Sequence, residues 1–585
     1  MAGLSIGNGL STGNGLSAGS GFSRGGGLYF SGFSVAPTLN LNFTTMTALP
    51  STITFSRNSN ATYYDSTGKL TYAPNNQLTY SNDFSNAVWT KSGLTQSAGL
   101  VTVSAGTAWH RLSASGVATS AVTTTSVKLK AGTHRYVQIL DDHAAPSNDY
   151  ENFDLVAGTK SSSGVTSSIS DAGDGYWLCS ITGNGDLGNN GIYISPVTGL
   201  NAARAESWTA TGTETFYVKE AQLELVTYQT TPGTYNATTS AAYYGARLDY
   251  NPATLAARGL LIEEARTNSA LYSQDFSNGT WVAFSGAAKV GAATGIVDPA
   301  GTQNAYELSF GATGGTIGAA SAVYQACTFT ASSFYSFSVY LRAKTGTTTI
   351  RLSAFASTNT GTADITLTTA WTRVLLENFS SGAATSGNIA IRNNVAGNSA
   401  NVYAWGAQVE LGSFATSYIP TAGGTVSRSA DTASMTGTNF SSWYNQSEGS
   451  FVVNTTPLVA TGSLYSNGVF GLLPTTGTGG GSFFLGQSAT QNWLWWRANG
   501  SMAVTFGTVV ANTPAKLAIA YKLADYAAVA NNGTVGTSSD ATALVNATSL
   551  SLGGQYAIQP YGGYIASFVY YPQRLPNATL QSLTS

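Results

Sequence analysis

The densest group of acidic side chains in this sequence lies in the stretch ILDDHAAPSNDYENFD. Its five carboxylates belong to Asp141, Asp142, Asp149, Glu151 and Asp154. Carboxylate oxygens are the ligands that Ca²⁺ prefers, so a structural calcium site is one interpretation of this stretch. The spacing does not follow the calcium loop of an EF-hand, and a solvated loop is the other interpretation.

A second candidate site is the run NWLWWR, which places Trp493, Trp495 and Trp496 close together. In a strand, Trp493 and Trp495 share one face and Trp496 lies on the other. Aromatic rings stack on the apolar faces of sugars, so exposed tryptophans here would form a glycan platform. The alternative is that Trp493 and Trp495 fill the core and that Trp496 alone is exposed.

Catalytic chemistry has weak support in the sequence. Paired carboxylates can cleave glycosidic bonds, but Glu263 and Glu264 are adjacent and therefore point in different directions in any regular element. We expect Glu264 to make a local contact with Arg266. The sequence has no GxSxG elbow, HExxH motif or phosphate-binding loop, so we predict that the protein is not an enzyme and has no cofactor beyond the possible calcium.

The composition indicates which elements must position these residues. Of 585 residues, 9% are charged and 43% are hydrophobic, with many glycines and aromatics, which favours strands over helices. No basic stripe points to nucleic acid, and no apolar run approaches the roughly 20 residues of a membrane span. We find no secretory signal pattern at the N-terminus. The two cysteines, Cys179 and Cys327, are predicted to be buried thiols.

The N-terminus repeats a hexapeptide with the units GLSIGN, GLSTGN and GLSAGS, followed by the degenerate GFSRGG. In an extended chain one face would carry only Gly and Ser, and a bare face lets another backbone approach closely. The regularly spaced apolar residues Leu4, Leu10, Leu16 and Phe22 favour an ordered docking or oligomerisation element. A flexible Gly/Ser linker is the alternative.

The middle of the chain contains an internal repeat. YSNDFSNAVW, starting at Tyr80, returns as YSQDFSNGTW at Tyr272, and FYVKEAQLELV, starting at Phe216, returns as VYAWGAQVELG at Val402. Within each copy, apolar and polar residues alternate, which indicates strands with one buried face and hence two packed antiparallel sheets. The pattern predicts tandem jelly-roll or β-sandwich domains.

Other segments have simpler signals. Ser66-Thr67-Gly68 marks a turn between two strands, and Asn531 to Gly536 marks a tight turn that we predict to belong to a hairpin. Leu255 to Arg266 has the best helical composition of the chain, although Gly259 interrupts it, so a short helix and an extended connector both remain open. The segment after about Ser450 consists of short runs with glycine punctuation, the signature of a larger sandwich.

The repeated motifs resemble the head-spike-fibre domains of tailed-bacteriophage structural proteins, which are similar to jelly-roll carbohydrate-binding modules. The ending GGYIASFVYYPQRLPNATLQSLT resembles the last strand and tail of concanavalin-A-like or laminin-G-like domains in phage fibres. Together the resemblances cover most of the chain after about Leu39. They imply an appendage on the head, collar or tail, assembled as a homo-oligomer, with a trimer favoured.

We therefore predict an all-β chain of six segments. They are a docking or oligomerisation segment (1–37), a β-hairpin connector (38–74), a first jelly roll (75–235), a second connector (236–268), a second jelly roll (269–427) and a concanavalin-A/laminin-G-like sandwich (428–585).

The predicted function is that of a phage virion fibre or spike that is made in the host cytoplasm and adheres to host-surface glycans. Its N-terminus would contact other virion proteins, and we expect no nucleic-acid partner and no membrane insertion. A capsule-degrading depolymerase and a ligand-free decoration protein are the alternatives.

Overall fold

The structure is a computed structural model that describes residues 35–116, 122–141, 149–184, 191–312, 320–393, 397–460, 466–474, 483–488, 490–497, 503–542, 546–554 and 561–585. The chain is nearly all β, with 51% of its residues in strands and 2% in helices. This confirms the all-β prediction. Every strand pair in the described residues is antiparallel.

Five short strands precede the first jelly roll: β1 (Leu39–Asn42), β2 (Thr54–Ser56), β3 (Thr62–Tyr64), β4 (Leu70–Tyr72) and β5 (Asn75–Asn76). Strands β3 and β4 form the predicted hairpin around Ser66-Thr67-Gly68. Leu70 donates its backbone N–H to Pro299 O at 2.8 Å, so this hairpin is docked against the second jelly roll.

The first jelly roll, called the first module, follows β5 in the chain. Its strands are β6 (Thr90–Ser92), β7 (Leu94–Ser97), β8 (Leu100–Val103), β9 (Gly106–Ala108), β10 (Arg111–Ser115), β11 (Val122–Ala131), β12 (Tyr136–Asp141), β13 (Tyr150–Asp154), β14 (Thr159–Lys160), β15 (Thr166–Asp171), β16 (Trp177–Asn184), β17 (Gly191–Pro196), β18 (Trp208–Ala210) and β19 (Thr215–Leu225). One sheet has the order β14-β13-β12-β17-β10-β6 and the other β15-β16-β11-β19-β8-β7.

Four strands follow: β20 (Tyr243–Tyr244), β21 (Arg247–Tyr250), β22 (Ala257–Ile262) and β23 (Arg266–Asn268). The second jelly roll, called the second module, contains β24 (Trp281–Phe284), β25 (Ala288–Ala292), β26 (Tyr306–Phe310), β27 (Ser321–Thr328), β28 (Phe334–Ala343), β29 (Thr348–Phe355), β30 (Asn359–Gly361), β31 (Ile365–Leu367), β32 (Thr372–Ser380), β33 (Ser386–Asn393) and β34 (Ala400–Leu411). Its sheets have the orders β24-β27-β33-β29-β30 and β25-β26-β34-β28-β32.

The two modules have the same topology. The order β13-β12-β17-β10-β6 in the first corresponds to β30-β29-β33-β27-β24 in the second, and β16-β11-β19-β8-β7 corresponds to β32-β28-β34-β26-β25. Each pair of sheets encloses its own apolar core. The free thiols of Cys179 and Cys327 lie in these cores, as predicted. Burial raises the pKa of the Cys327 thiol to about 12.

The repeated motif YSxDFSNxxW forms the same corner in each module. Trp89 Nε1 donates to Tyr80 O at 3.0 Å, and Trp281 Nε1 donates to Tyr272 O at 3.2 Å. Both tyrosines have a positive φ, 49° and 47°. The motif therefore recurs because an indole locks a turn of unusual backbone conformation in both copies.

The C-terminal strands and helices are β35 (Val426–Arg428), β36 (Thr432–Thr436), α1 (Thr438–Ser441), β37 (Glu448–Pro457), β38 (Ser466–Leu473), β39 (Phe483–Gln487), β40 (Asn492–Arg497), β41 (Ala503–Thr508), β42 (Ala515–Lys522), β43 (Tyr526–Ala530), β44 (Gly536–Ser538), β45 (Ser549–Leu552), β46 (Gly563–Tyr571) and α2 (Asn577–Leu583). Strands β43 and β44 pair across Asn531 to Gly536, which confirms the predicted hairpin. Asn531 and Asn532 have φ values of 48° and 58°, as such tight turns require.

The C-terminal sandwich recruits strands from distant parts of the chain. Its two sheets have the orders β21-β22-β46-β37-β42-β43-β44, with β1 also on β46, and β2-β36-β45-β38-β39-β40-β41. Leu41 lies opposite Phe568, and Phe55 lies opposite Ala433. The sequence predicts connectors at 38–74 and 236–268, but both stretches supply strands to this sandwich because their apolar residues complete its core.

The stretch from Leu255 to Arg266 is extended, so the helical alternative is wrong. Strand β22 occupies its centre and pairs with β46 through Leu261 and Tyr564. Gly259 has a φ of 97°, and a Cβ at this position would lie 2.4 Å from Ile565 O. Gly259 thus allows the close approach of a neighbouring strand.

A buried ion-pair network joins the segments that meet at this sandwich. Arg57 contacts Asp431 at 2.9 Å, Arg247 contacts Glu263 at 2.6 Å and also Asp431, and Arg428 contacts Glu263 at 3.2 Å. Burial alone would raise the pKa of Glu263, but Arg428 and Arg247 lower it to about 2. Glu264 pairs separately with Arg266, as the sequence predicts.

Candidate functional site

The three tryptophans of NWLWWR are buried and cannot receive a sugar from solution. Trp493 and Trp495 are 0% exposed within the main core of the C-terminal sandwich, where Trp495 stacks on Phe483 with ring centroids 5.2 Å apart. Trp496, on the opposite sheet face, is only 2% exposed and packs with Leu473 and Phe484. The predicted glycan platform is therefore wrong here, and so is the alternative that leaves Trp496 exposed.

The acidic stretch does not assemble into one site. Glu151 accepts from Ser167 Oγ at 2.7 Å and Lys160 Nζ at 3.3 Å, whereas Asp154, on the opposite face of β13, is paired with Arg135. One calcium site shared by all five carboxylates is therefore wrong, because two of them lie on opposite faces of one strand.

The other acidic residues lie near the end of β12. Asp141 is buried and accepts from Thr123 Oγ1 and Gly191 N, each at 3.2 Å, and its backbone N–H donates to Asp149 O at 3.1 Å. Asp142 lies outside the described residues. Within the described ranges, no group of three or more His, Cys, Asp or Glu side chains is placed to hold a metal ion.

The predicted docking residues Leu4, Leu10, Leu16 and Phe22 also lie outside the described residues, which begin at residue 35. The docking role of the N-terminal segment stays a prediction. No helix in the described part of the chain is long and apolar enough to cross a membrane.

A half-buried aromatic cluster that sequence reasoning missed lies on the first module. Trp109 stacks on Tyr193 with ring centroids 5.5 Å apart and ring planes inclined by 21°. The guanidinium carbon of Arg111 lies 4.1 Å from the Trp109 ring centroid and 5.9 Å from that of Tyr193. The three groups therefore lie at the corners of a triangle, and none of them is sandwiched between the other two. We call Trp109, Arg111 and Tyr193 the aromatic platform.

Two neighbouring strands position the platform. In β10, Leu112 and Ala114 point into the core, so Arg111 and Ser113 lie on the outer face; Tyr193 of β17 lies opposite Ser113. Trp109 precedes β10, and its Nε1 donates to Ser195 Oγ of β17 at 3.1 Å. Strand alternation and one indole hydrogen bond thus fix all three side chains on one sheet face.

A loop covers another part of the same face. Gln138 Nε2 donates to Ala203 O at 3.0 Å, and Asn152 Nδ2 donates to Ala202 O at 2.8 Å. These buried amides hold the segment between β17 and β18 over strands β12 and β13. The aromatic platform, on β10 and β17, is half-buried beside this covered region.

The second module lacks the platform. The registers of the equivalent strand pairs place Leu112 with Ile194 and Val323 with Ile391. Trp109, Arg111 and Tyr193 therefore correspond to Ala320, Ala322 and Ala390. Since the second module has the same topology without these side chains, the fold does not require them.

A separate cavity of about 270 Å³ lies where the β3–β4 hairpin, the second module and the C-terminal sandwich meet, and Tyr63, Asp249, Arg258 and Tyr564 help to line it. Burial raises the pKa of Asp249 to about 6. Asp249 accepts from Tyr64 N at 2.7 Å, and Arg258 donates to Tyr564 OH at 3.0 Å. These hydrogen bonds lie within the chain itself. They indicate that the residues around the cavity help to hold the hairpin, the second module and the C-terminal sandwich together.

No protein-family model matches the chain, and no curated protein matches it. The solved structures that resemble parts of it include several carbohydrate-binding modules. The CBM22-1–CBM22-2 tandem of Paenibacillus barcinonensis Xyn10C is 10% identical, covers 64% of this chain and 98% of its own, and has a TM-score of 0.24.

Two further solved structures are similar at the same low level. The CBM40 of the Ruminococcus gnavus IT-sialidase, bound to α2,3 sialyllactose, is 14% identical over 25% of this chain and 87% of its own, with a TM-score of 0.22. Domain 4 of the Geobacillus stearothermophilus arabinanase AbnA, in complex with arabinotriose, is 14% identical over 30% and 84%, also with a TM-score of 0.22. The fold described above rests on the strand pairing of this chain itself.

Proposed function

We propose that this protein is a non-catalytic adhesin that binds glycans at the aromatic platform of its first module. The observation that carries the proposal is the triangle of Trp109, Arg111 and Tyr193 on a sheet face whose counterpart in the second module carries three alanines. Aromatic rings offer flat apolar surface to a sugar ring, and Arg offers several hydrogen-bond donors to its hydroxyl groups.

The setting that we propose is a tailed-phage particle. The support for it is the sequence resemblance of the repeated motifs to head-spike-fibre domains, together with the tandem arrangement of the modules. In this proposal the N-terminal segment attaches the protein to other virion proteins and to copies of itself, a trimer being favoured. Many copies on one particle would make weak glycan contacts effective through multivalency.

A binding experiment with the purified full chain tests the proposal. Wild-type protein is added to host cells and to an array of host-surface glycans, beside Trp109→Ala and the control Phe284→Ala. Phe284 is 52% exposed on the equivalent sheet of the second module, so its loss removes an exposed aromatic ring elsewhere. We expect Trp109→Ala to lose binding and the control to keep it.

The same samples distinguish binding from cleavage. Host polysaccharide incubated with wild-type protein should show no increase in reducing or unsaturated ends. New ends would favour a depolymerase, and an absence of binding to any host surface would favour a ligand-free decoration protein.

A further inference from the structure

We propose that the glycan bound at the aromatic platform is acidic and that its carboxylate is recognised by Arg111. This inference rests on the proposed function and deepens it by naming the ligand class. It follows from the charge environment of one side chain in the first module.

Arg111 has no protein anion to neutralise it within the described residues. It makes no salt bridge and no hydrogen bond there, and its Nε is buried without a partner. Two other arginines of the modules have such partners: Arg135 is paired with Asp154, and Arg351 with Asp364. Arg342 of the second module, which lies over Trp371, resembles Arg111 in lacking one within the described residues. Arg111 is thus held by its stacking on Trp109, while its two terminal guanidinium nitrogens have no hydrogen-bond partner within the described residues.

The surrounding sheet face supplies no competing carboxylate in the described ranges. The outer-face neighbours of Arg111 and Tyr193 across the strands are Ser92, Ser113 and Leu140. Among the described residues of these strands, Asp154 lies on this face at the far side of the sheet, and it is already paired with Arg135. An anion that reaches the platform therefore meets an uncompensated positive charge.

The chemistry of the three groups together fits a carboxylated sugar. The rings of Trp109 and Tyr193 can take the apolar face of a pyranose, while the planar guanidinium of Arg111 can bind a carboxylate through two parallel hydrogen bonds. Such charge-assisted bonds are stronger than those to neutral hydroxyls. Arg111 would therefore select uronic or other carboxylated residues over neutral ones.

Matched polysaccharides test the inference. Polygalacturonate and hyaluronan are each presented to the full chain beside their carboxyl-reduced forms, which keep the sugar rings and lose the charge. The variants are Arg111→Gln, Arg111→Lys, Trp109→Ala and the control Arg351→Gln, which removes an arginine from the equivalent sheet of the second module. Circular dichroism and thermal unfolding check that each variant is folded.

We expect wild-type protein to bind at least one acidic form roughly 10- to 100-fold more tightly than its reduced form. Arg111→Gln should lose this preference, Arg111→Lys should keep only part of it, and Arg351→Gln should keep all of it. Raising the salt concentration should weaken the acidic interaction.

Two results would overturn the inference. One is equal binding of the acidic and reduced forms by wild-type protein, and the other is unchanged binding of the acidic form by Arg111→Gln. In either case the proposed function still stands if Trp109→Ala abolishes binding. If wild-type protein binds neither these polysaccharides nor any glycan of the array, the proposed function fails and the inference fails with it.

Discussion

Trp109 and Tyr193 stack 5.5 Å apart on the outer face of the first module, whereas Ala320 and Ala390 occupy the equivalent positions in the second. The two modules thus share one fold but differ at these positions, where the alanines of the second module are small and buried. Residues that a fold does not need, and that are nonetheless large, aromatic and partly exposed, are candidates for recognition. The second module serves as an internal control for the first.

The first prediction concerns Tyr193, the partner ring of the platform. Tyr193→Ala should weaken glycan binding by about tenfold or more, because it removes part of the stacking surface and the support of Trp109. Binding to immobilised glycan measures the effect. Tyr324→Ala, on the equivalent sheet of the second module, should bind like wild type; an equal loss in both variants would contradict a role specific to the platform.

The second prediction separates the buried tryptophans from the platform. Trp495→Ala should lower the free energy of unfolding of the C-terminal sandwich by about 3–5 kcal/mol, since it leaves a cavity in the core. Urea denaturation, followed by the fluorescence of the remaining tryptophans, measures this change. The folded fraction of Trp495→Ala should still bind glycan. If the folded variant fails to bind, NWLWWR would again be a candidate for the glycan site.

The third prediction concerns the ion-pair network. Asp431→Ala should destabilise the protein by about 3–5 kcal/mol, because Arg57 would lose its buried carboxylate partner, and Arg247 and Arg428 would share Glu263 alone. Asp364→Ala removes the partner of Arg351 from a half-exposed pair and should cost only about 0–1 kcal/mol. Similar unfolding midpoints for the two variants would show that the network is not essential.

The fourth prediction is a pH dependence. Burial raises the pKa of Glu224 from 4.5 to about 7, even though Gly233 N donates to its carboxylate at 2.9 Å. A raised folded-state pKa means that its contribution to stability is present below about pH 4.5 and is lost as the pH rises through 7. The shift corresponds to a loss of about 3 kcal/mol between pH 4.5 and 8.

Glu224→Gln should remove this loss, so urea denaturation should show a smaller fall in stability between pH 5 and pH 8 than in wild type. Identical pH profiles for wild type and Glu224→Gln would contradict the assignment. The comparison cancels the other titrating groups that the two proteins share.

Much of the fold could be predicted from the sequence because its signals are local. Alternation in strands such as FYSFSVYLRA, the paired YSxDFSNxxW motifs and the turn at Asn531 all lead to antiparallel β structure with a duplicated module. The sequence could not predict that β1, β2, β21 and β22 belong to the C-terminal sandwich. Neither segment alone indicates that distant residues such as Leu41 and Phe568 pair with each other.

The candidate site was harder to predict for a related reason. The density of aromatic residues in NWLWWR suggested a glycan site. The sheet that contains this run is covered on both faces, so all three of its tryptophans are buried. In TAWHRLSAS, Trp109 and Arg111 alternate with His110 and Leu112 and therefore share a face, which the sequence does show. Their meeting with Tyr193 depends on the register of β10 against β17, and only the structure supplies that register.

The most direct test of the proposed glycan site is a crystal structure of the full chain with the tightest-binding glycan from the array. We expect the sugar to lie against Trp109 and Tyr193, with its carboxylate on Arg111, and to be absent from the equivalent sheet of the second module. A glycan bound in the cavity near Asp249 and Tyr564, or on any other surface with the platform empty, would contradict this account.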